Sequence, residues 1–286
     1  QSLLLDAVYP IITTTAAYIF GTGILYYHTE SERNRSRQTL QRIAREMEAA
    51  AQIQRSFLPK DDLSNASKGK FDIFAMMKPA KDVGGDFYDY FMINDNKLAF
   101  AVGDVSGKGV PAALFMSVSR TVLRTLAFEN DSPGAVLSKV NAILSRDNSE
   151  QMFVTIFYAV IDIDTGIVEF SSAGHDDALL IRNSATTEPL HYMGPAIGLF
   201  DVANFPTLSR TLNHGDSLLL LTDGITEAFN IDGRVFGPDR LIRILSRCDR
   251  SNAKAIVETV TRDVAMFSEG AEQSDDITCI AVQFRG

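Results

Sequence analysis

Residues Leu98–Glu129 have the sequence LAFAVGDVSGKGVPAALFMSVSRTVLRTLAFE, in which a glycine-rich turn separates two apolar segments. The apolar run Leu98–Val102 predicts a strand, and the apolar pattern over Pro111–Glu129 predicts a helix that proline can begin. Between them, the glycine-rich turn Gly103–Gly109 (GDVSGKG) presents Asp104 just beyond the strand. Glycine lets the backbone come close to a bound group, so Asp104 is a candidate metal ligand.

The segments around this stretch predict an α+β fold. Strands are predicted where β-branched and aromatic residues cluster, at Phe71–Met77, Phe87–Ile93, Leu98–Val102, Phe153–Ile161, Val168–Ser172, Leu179–Arg182, Ser217–Leu221 and Ile277–Phe284. Helices are predicted over Pro111–Glu129, Pro133–Ser145, Asp239–Ser246 and Ala253–Phe267. Because strands come in runs and helices in pairs, an antiparallel β-sandwich flanked by helices is favoured over βαβ alternation.

Three further acidic motifs lie at strand ends or turns: Val83–Asp89 (VGGDFYD), Leu220–Glu227 (LLTDGITE) and Gln273–Thr278 (QSDDIT). They contribute Asp86, Asp223, Asp275 and Asp276. One Asp-Gly pair alone usually marks a turn. Several carboxylates delivered by neighbouring strands would form a cluster that needs cations to stay ionised. Ligands that are all oxygen favour Mg²⁺ or Mn²⁺.

The beginning of the chain predicts a membrane span. Ala7–Tyr27 carries no charge, and a bilayer core needs about 20 such residues in a helix. Arginines between Arg33 and Arg45 flank its C-terminal side, which by the positive-inside rule places the rest of the chain in the cytoplasm. The expectation is a transmembrane helix over residues 1–28 and a single-span protein of the inner membrane. A buried helix of a soluble domain is the alternative.

A second helical pattern follows over residues 29–59 and ends at Pro59. Its apolar seam predicts a coiled-coil signalling helix and a parallel homodimer through residues 30–58, with seam positions Leu40, Ile43, Met47, Ala50, Gln54 and Phe57. A single amphipathic helix packed on its own domain fits equally well. Residues 60–69, which include the polar run Asp61–Lys68 (DDLSNASK), are predicted as a linker, and residues 70–286 as the main domain.

Composition excludes some classes of function. The chain of 286 residues has a formal net charge of -9, which argues against nucleic-acid binding because that favours a basic surface. Its cysteines, Cys248 and Cys279, are too few and too far apart for a disulfide framework or a thiolate metal site.

Taken together, the motifs resemble those of a known family. From Glu46 to Gly286 the chain is similar to the SpoIIE-like branch of the PPM (type 2C) protein phosphatases. The resemblance rests on the motifs quoted above and, in the same order as in the family, on Glu48–Pro59 (EAAAQIQRSFLP), Ser171–His175 (SSAGH), Gly198–Phe200 (GLF) and Thr222–Gly237 (TDGITEAFNIDGRVFG). The predicted membrane helix resembles the last span of CHASE-type sensor proteins.

This resemblance implies a two-metal site. Asp104 matches the aspartate that bridges two Mn²⁺ or Mg²⁺ ions, and the Val105 carbonyl matches the ligand beside it. Asp86 matches the residue near the second metal, and Asp223 and Asp275 match the remaining ligands of the first. Asp276 is included in the predicted metal site as a residue that supports the ligands rather than binding the ion itself. The family's reaction is attack by a hydroxide, bridging the two ions, on phosphoserine or phosphothreonine. The implied substrate is a phosphorylated STAS-type anti-sigma-factor antagonist.

Some features depart from the related eukaryotic enzymes. Where those enzymes have a histidine proposed as the general acid, this chain has Ser106, and a phosphate-binding arginine is not evident. His175 is either a structural histidine or an alternative acid. The resemblance also implies that the helices over 111–129 and 133–145 act as a switch that organises the metal site.

Two other functions are open. One is a catalytically inactive, phosphatase-like binding module. The other is a diguanylate cyclase, because VGGDFYD resembles that signature, although Phe87 stands where the signature needs an acid.

Overall fold

The computed structural model describes the backbone of residues 2–59, 63, 69–129, 131–146, 148–192 and 194–286, and the side chains of these residues except 2–11 and 17. Most of the predicted linker over residues 60–69 lies outside the described residues. The chain divides into two compact units, residues 1–50 and residues 51–286.

A single helix, α1 (Ser2–Phe57), covers both predicted N-terminal helical segments. Among the residues that the structure describes, no helix has a stretch long and apolar enough to cross a membrane. The predicted single-span location in the inner membrane is therefore wrong, and the transmembrane and CHASE-like assignments have no support. The uncharged run Ala7–Tyr27 includes Thr13, Thr14 and Thr15, and threonines, tyrosines and glycines dilute its apolar character.

Residues 51–286 form a sandwich of two antiparallel sheets. The strands are β1 (Phe71–Lys78), β2 (Phe87–Asn94), β3 (Lys97–Val105), β4 (Val154–Asp162), β5 (Ile167–Ala173), β6 (Ala178–Ile181), β7 (Thr187–Leu190), β8 (Leu208–Thr211), β9 (Ser217–Leu221) and β10 (Ile277–Phe284). One sheet has the order β1-β10-β9-β6-β7, and the other has the order β2-β3-β4-β5-β8. The predicted antiparallel α+β fold is confirmed.

The helices that cover these sheets are α2 (Val110–Ala127), α3 (Pro133–Leu144), the short α4 (Asp223–Thr226), α5 (Pro238–Leu245) and α6 (Ala253–Phe267). The core between the sheets includes Phe100, Phe157 and Leu220. Alternate residues of β3 point the other way, so that Ala99 and Ala101 pack with the helical layer of α2 and α3. A third core packs α5 and α6 against the outer face of β9 and β10. Residues 51–286 therefore have four layers, helices–sheet–sheet–helices.

The predicted elements match the structure closely, and the differences lie in the short helix α4 and in short strands. The edge strands β7 and β8 were not predicted, since TEPL and LSRT are polar and mostly exposed. Their pairing comes from neighbours β6 and β5, which supply the hydrogen-bonding edge. Asp104 also lies inside β3 rather than beyond it, because the strand continues to Val105.

Candidate functional site

The acidic motifs meet at one edge of the sandwich, where strand ends from both sheets come together. Asp86 lies directly before β2, and Asp104 lies near the end of the paired strand β3. Asp223 follows β9, and Asp275 precedes the paired strand β10. A contact joins the two sheets here, since the Thr222 hydroxyl donates a 2.8 Å hydrogen bond to Asp86 Oδ2.

Asp86 is buried and the neighbouring Asp104 is half-buried in this cluster. Burial, followed by the charge of the nearby Asp223, raises the pKa of Asp104 to about 7. A hydrogen bond with the Asp86 carboxyl partly offsets this rise by lowering the pKa. Burial, followed by the charge of Asp104, raises the pKa of Asp86 well above its usual value. Asp86 is 2% exposed. Like charges held out of water in this way favour either protonation or a bound cation.

Asp223 belongs to the same electrostatic cluster. Burial and the charge of Asp275 raise the pKa of Asp223 to about 6, and Glu227 and Asp176 act in the same direction. Asp176 has a raised pKa through burial and its acidic neighbours Asp177 and Glu227. The negative potential therefore extends from the sandwich edge along α4.

This cluster should make the protein less stable at high pH when divalent ions are chelated. Between the unfolded pKa of about 4 and the folded pKa of about 7, the folded protein holds a proton on Asp104 that the unfolded chain has lost. The free energy of unfolding therefore falls as pH rises through that window, and Asp223 adds to the fall. We expect a lower melting temperature at pH 8 than at pH 5.5 in EDTA, with a shallower decline in Asp104→Asn. Equal declines in the two proteins would contradict this assignment.

Asp275 is more exposed and is paired with a lysine. Lys108 Nζ lies 2.8 Å from Asp275 Oδ2 and 2.7 Å from the Ser274 carbonyl oxygen. Hydrogen bonding to Asp275 raises the pKa of Lys108. This lysine comes from the GDVSGKG turn and brings a positive charge to the rim of the carboxylate cluster.

The Asp276 carboxylate accepts hydrogen bonds from backbone amides, so its oxygens are already engaged. Its Oδ1 accepts a 2.8 Å hydrogen bond from Ala80 N, and its Oδ2 accepts a 2.7 Å hydrogen bond from Gly85 N. Its own carbonyl oxygen approaches Gly224 so closely that a Cβ there would lie 1.9 Å away. Both carboxylate oxygens of Asp276 are therefore engaged with the backbone, and its supporting role stays a prediction.

The Val105 carbonyl approaches the loop that carries Asp86. A Cβ on Gly85 would lie 2.8 Å from Val105 O, so only glycine lets these two backbone segments meet. The predicted backbone ligand therefore faces the segment next to Asp86. Among the described residues, no group of three or more His, Cys, Asp or Glu side chains stands ready to hold a metal ion. The donor set nevertheless fits a hard divalent cation, because it offers crowded carboxylates and a carbonyl.

Ser106 and His175 both make hydrogen bonds within the protein. The Ser106 hydroxyl accepts a 3.0 Å hydrogen bond from Phe153 N. His175 is 7% exposed, and burial lowers its pKa to about 4. Its Nδ1 is 2.9 Å from the Thr155 hydroxyl and its Nε2 is 3.2 Å from the Leu221 carbonyl oxygen. The neutral ring thus joins β4 to β9, and its contacts are those of a structural histidine.

Two residues of the site, Thr222 and Lys108, are not predicted from the sequence. Both lie inside the acidic motifs, and only Thr222 has a signal in the sequence, because it is a polar residue directly before Asp223. Thr222 is fully buried, which for a threonine beside an aspartate indicates a hydrogen-bonding role. The pairing of Lys108 with Asp275 joins positions far apart in the chain and needs the fold to be seen.

Known proteins share this architecture. The family Stage II sporulation protein E (SpoIIE) matches residues 94–285. IcfG of Synechocystis sp. is 33% identical over 264 residues, which cover 83% of this chain and 41% of IcfG. Phosphoserine phosphatase RsbU of Bacillus subtilis is 28% identical over 270 residues, which cover 93% of this chain and 76% of RsbU.

Among solved structures, the SiaA-PP2C domain of Pseudomonas aeruginosa superimposes with a TM-score of 0.76. The superposition covers 86% of this chain and 98% of that domain at 24% sequence identity, so the likeness concerns the fold. The predicted resemblance to SpoIIE-like phosphatase domains is confirmed. Because the family match extends over residues 94–285, the protein belongs to the SpoIIE family and has the fold of PP2C-type phosphatases.

Proposed function

We propose that the chain is a metal-dependent protein phosphatase that hydrolyses phosphoserine or phosphothreonine. The observation that carries this proposal is the cluster of carboxylates at the sandwich edge, in which Asp86 is buried and Asp104 and Asp223 have raised pKa values. Carboxylates clustered in this way lower the stability of a fold, so their presence indicates a functional role such as cation binding. The relative RsbU, which is named a phosphoserine phosphatase, points to the substrate class.

In this proposal Asp104, Asp86, Asp223, Asp275 and the Val105 carbonyl would hold two Mn²⁺ or Mg²⁺ ions. Such ions lower the pKa of water towards neutrality and neutralise phosphoryl oxygens. The chain's own residues fix the carboxylates. Thr222 donates to Asp86, and Asp276 binds the amide of Gly85. The Lys108 ammonium lies at the rim of the cluster, where it is hydrogen-bonded to the Asp275 carboxylate.

The natural substrate is proposed from the family resemblance as a phosphorylated STAS-type anti-sigma-factor antagonist. An inactive binding module and a diguanylate cyclase are the competing functions. The test is phosphate release from p-nitrophenyl phosphate and from a serine-phosphorylated STAS protein, with Mn²⁺ and with EDTA, beside GTP turnover. We expect Mn²⁺-dependent release from both phosphoesters. Binding of the STAS protein without turnover would favour the module, and GTP turnover alone would favour the cyclase.

We also propose that residues 30–58 pair two chains in parallel. Leu40 and Ile43 are 65% and 47% exposed on α1, so an apolar seam faces outward there. Changing both to alanine should lower the dimer fraction measured by analytical ultracentrifugation and should alter phosphatase activity with it, because α1 continues to Phe57. Unchanged association and unchanged activity would remove this part of the proposal.

A further inference from the structure

The last turns of α1 carry a buried polar side chain whose contacts are specific. Gln54 is 5% exposed, whereas Ile53 and Phe57 beside it are 59% and 42% exposed. Its Nε2 donates a 2.6 Å hydrogen bond to the Gly84 carbonyl oxygen, and its Oε1 accepts a 3.1 Å hydrogen bond from Gly84 N. The carboxamide therefore satisfies both backbone groups of one residue, as a neighbouring strand would.

Gly84 lies in the VGGDFYD motif, two positions before Asp86. The other side of this segment is held by Asp276, which accepts hydrogen bonds from Gly85 N at 2.7 Å and from Asp86 N at 3.4 Å. There is no spare room, since a Cβ on Gly84 would lie 2.4 Å from Asp276 Oδ2. The segment 84–86 is thus clamped between Gln54 on one side and Asp276 on the other.

We propose that Gln54 is a positioning residue that sets the place of Asp86, and that the end of α1 acts on the site through it. The inference rests on the proposed function, in which Asp86 holds a metal ion. Residues outside the immediate ligands that orient them typically change metal affinity about 10–100-fold when mutated. A residue needed only to fill space here would be apolar, because burying an amide gives little net stability even when it is fully bonded.

The geometry also gives the helix a mechanical connection. Gln54 belongs to the same compact unit as the site, residues 51–286. A rotation or shift of the last turn of α1 would move the Gly84 backbone directly, because both of its polar groups are bonded to one side chain. The predicted seam position Gln54 is therefore occupied by a contact within its own chain.

Gln54→Met in the full chain tests this inference, because methionine keeps the length of the side chain and removes both hydrogen bonds. The matched control is Gln52→Met on the exposed side of the same helix. We expect Gln54→Met to bind Mn²⁺ about 10-fold more weakly by calorimetry. The turnover number on p-nitrophenyl phosphate should fall about 10–100-fold with KM nearly unchanged, since small misplacements of a catalytic group are costly.

Amide hydrogen exchange in residues 79–86 is the readout that does not depend on activity. It should be faster in Gln54→Met than in wild type and in Gln52→Met, while exchange in β4 stays the same. Gln54→Asn keeps the carboxamide but shortens the side chain by one methylene, so both hydrogen bonds should weaken and its exchange rate should fall between those of wild type and Gln54→Met. This second variant decides the question if Gln54→Met does not fold.

Unchanged exchange in residues 79–86, or unchanged Mn²⁺ affinity beside a lowered melting temperature, would overturn the inference and leave Gln54 a packing residue. Failure of the proposed function is a different result, because wild type itself would then bind no Mn²⁺ and cleave no phosphoester. The exchange measurement would still show whether Gln54 holds the loop.

Discussion

Asp104→Asn is expected to lower the turnover number on p-nitrophenyl phosphate by about a thousandfold or more, which corresponds to a loss of roughly 4 kcal/mol of transition-state stabilisation. Asp104 stands at the centre of the carboxylate cluster, and its pKa is raised by burial, by Asp223 and by Asp275. A carboxylate surrounded by other carboxylates stays ionised only if cations bind to it. The amide keeps the size of the side chain and removes the charge that a divalent ion needs.

The same change should not weaken the fold. Removing one of several repelling carboxylates relieves the free-energy cost of burying them, so we expect an unchanged or higher melting temperature in EDTA. Added Mn²⁺ should raise the melting temperature of wild type and much less that of the variant, because ligand binding stabilises the folded state. Activity loss without unfolding would separate a functional role from a structural one.

Asp95→Asn is the matched control, since Asp95 is an exposed carboxylate in the turn between β2 and β3. It should leave both turnover and the Mn²⁺ response near wild-type values. If Asp104→Asn retained more than about a tenth of wild-type turnover, a barrier change under roughly 1.4 kcal/mol, the carboxylate cluster would not be the catalytic centre.

The fold was predictable because its signals are local. Apolar runs of strand length recur with turn residues between them, and Asp86, Asp223 and Asp275 lie beside strand ends in the sequence as in the structure. A carboxylate beside a strand end is brought close to another one when the two strands pair. This is what β2 with β3 and β9 with β10 do.

The parts that were not predictable depend on pairs far apart in the chain. Nothing near Lys108 in sequence indicates a partner, yet its ammonium bonds Asp275. Gln54 was recognised only as a polar residue in an apolar seam, and its partner Gly84 is thirty residues away. The prediction of a membrane span is wrong for another reason, because Ala7–Tyr27 lacks charge but is not apolar enough to cross a membrane. Short motifs predict neither contacts between distant side chains nor the mean hydropathy of a whole segment.

Asp89→Ala is expected to cost about 3–5 kcal/mol of folding free energy, the range for removing one partner of a buried ion pair. The Asp89 side chain is 1% exposed and the Arg120 side chain is 9% exposed. Arg124 Nη1 donates a 2.7 Å hydrogen bond to Asp89 Oδ1, and Arg120 Nη2 lies 3.0 Å from Oδ2. Burial raises the pKa of Asp89, while both guanidinium groups oppose that change. Burying the Asp89 and Arg120 charges therefore costs free energy, and removing one of them costs more because the other is left buried without a partner.

The loss should appear as a shift in the urea midpoint and as a fall of about 10 °C in melting temperature, at roughly 2–4 °C per kcal/mol for a chain of this size. Glu258→Ala is the control, because its i,i+4 pair with Lys254 is exposed and should contribute well under 1 kcal/mol. A cost below about 1 kcal/mol for Asp89→Ala would show that the ion pair does not hold α2 to β2.

The double variant Asp89→Ala/Arg120→Met separates the pair from the cavity it leaves. Arg120 is buried, and burial lowers its pKa, so an unpaired guanidinium there is the main penalty of the single change. Removing it together with Asp89 should recover a large part of the lost free energy of unfolding. No recovery would mean that the cost comes from packing. Because α2 begins directly after the GDVSGKG turn, recovered stability with persistently low turnover would indicate that the ion pair also fixes the catalytic turn.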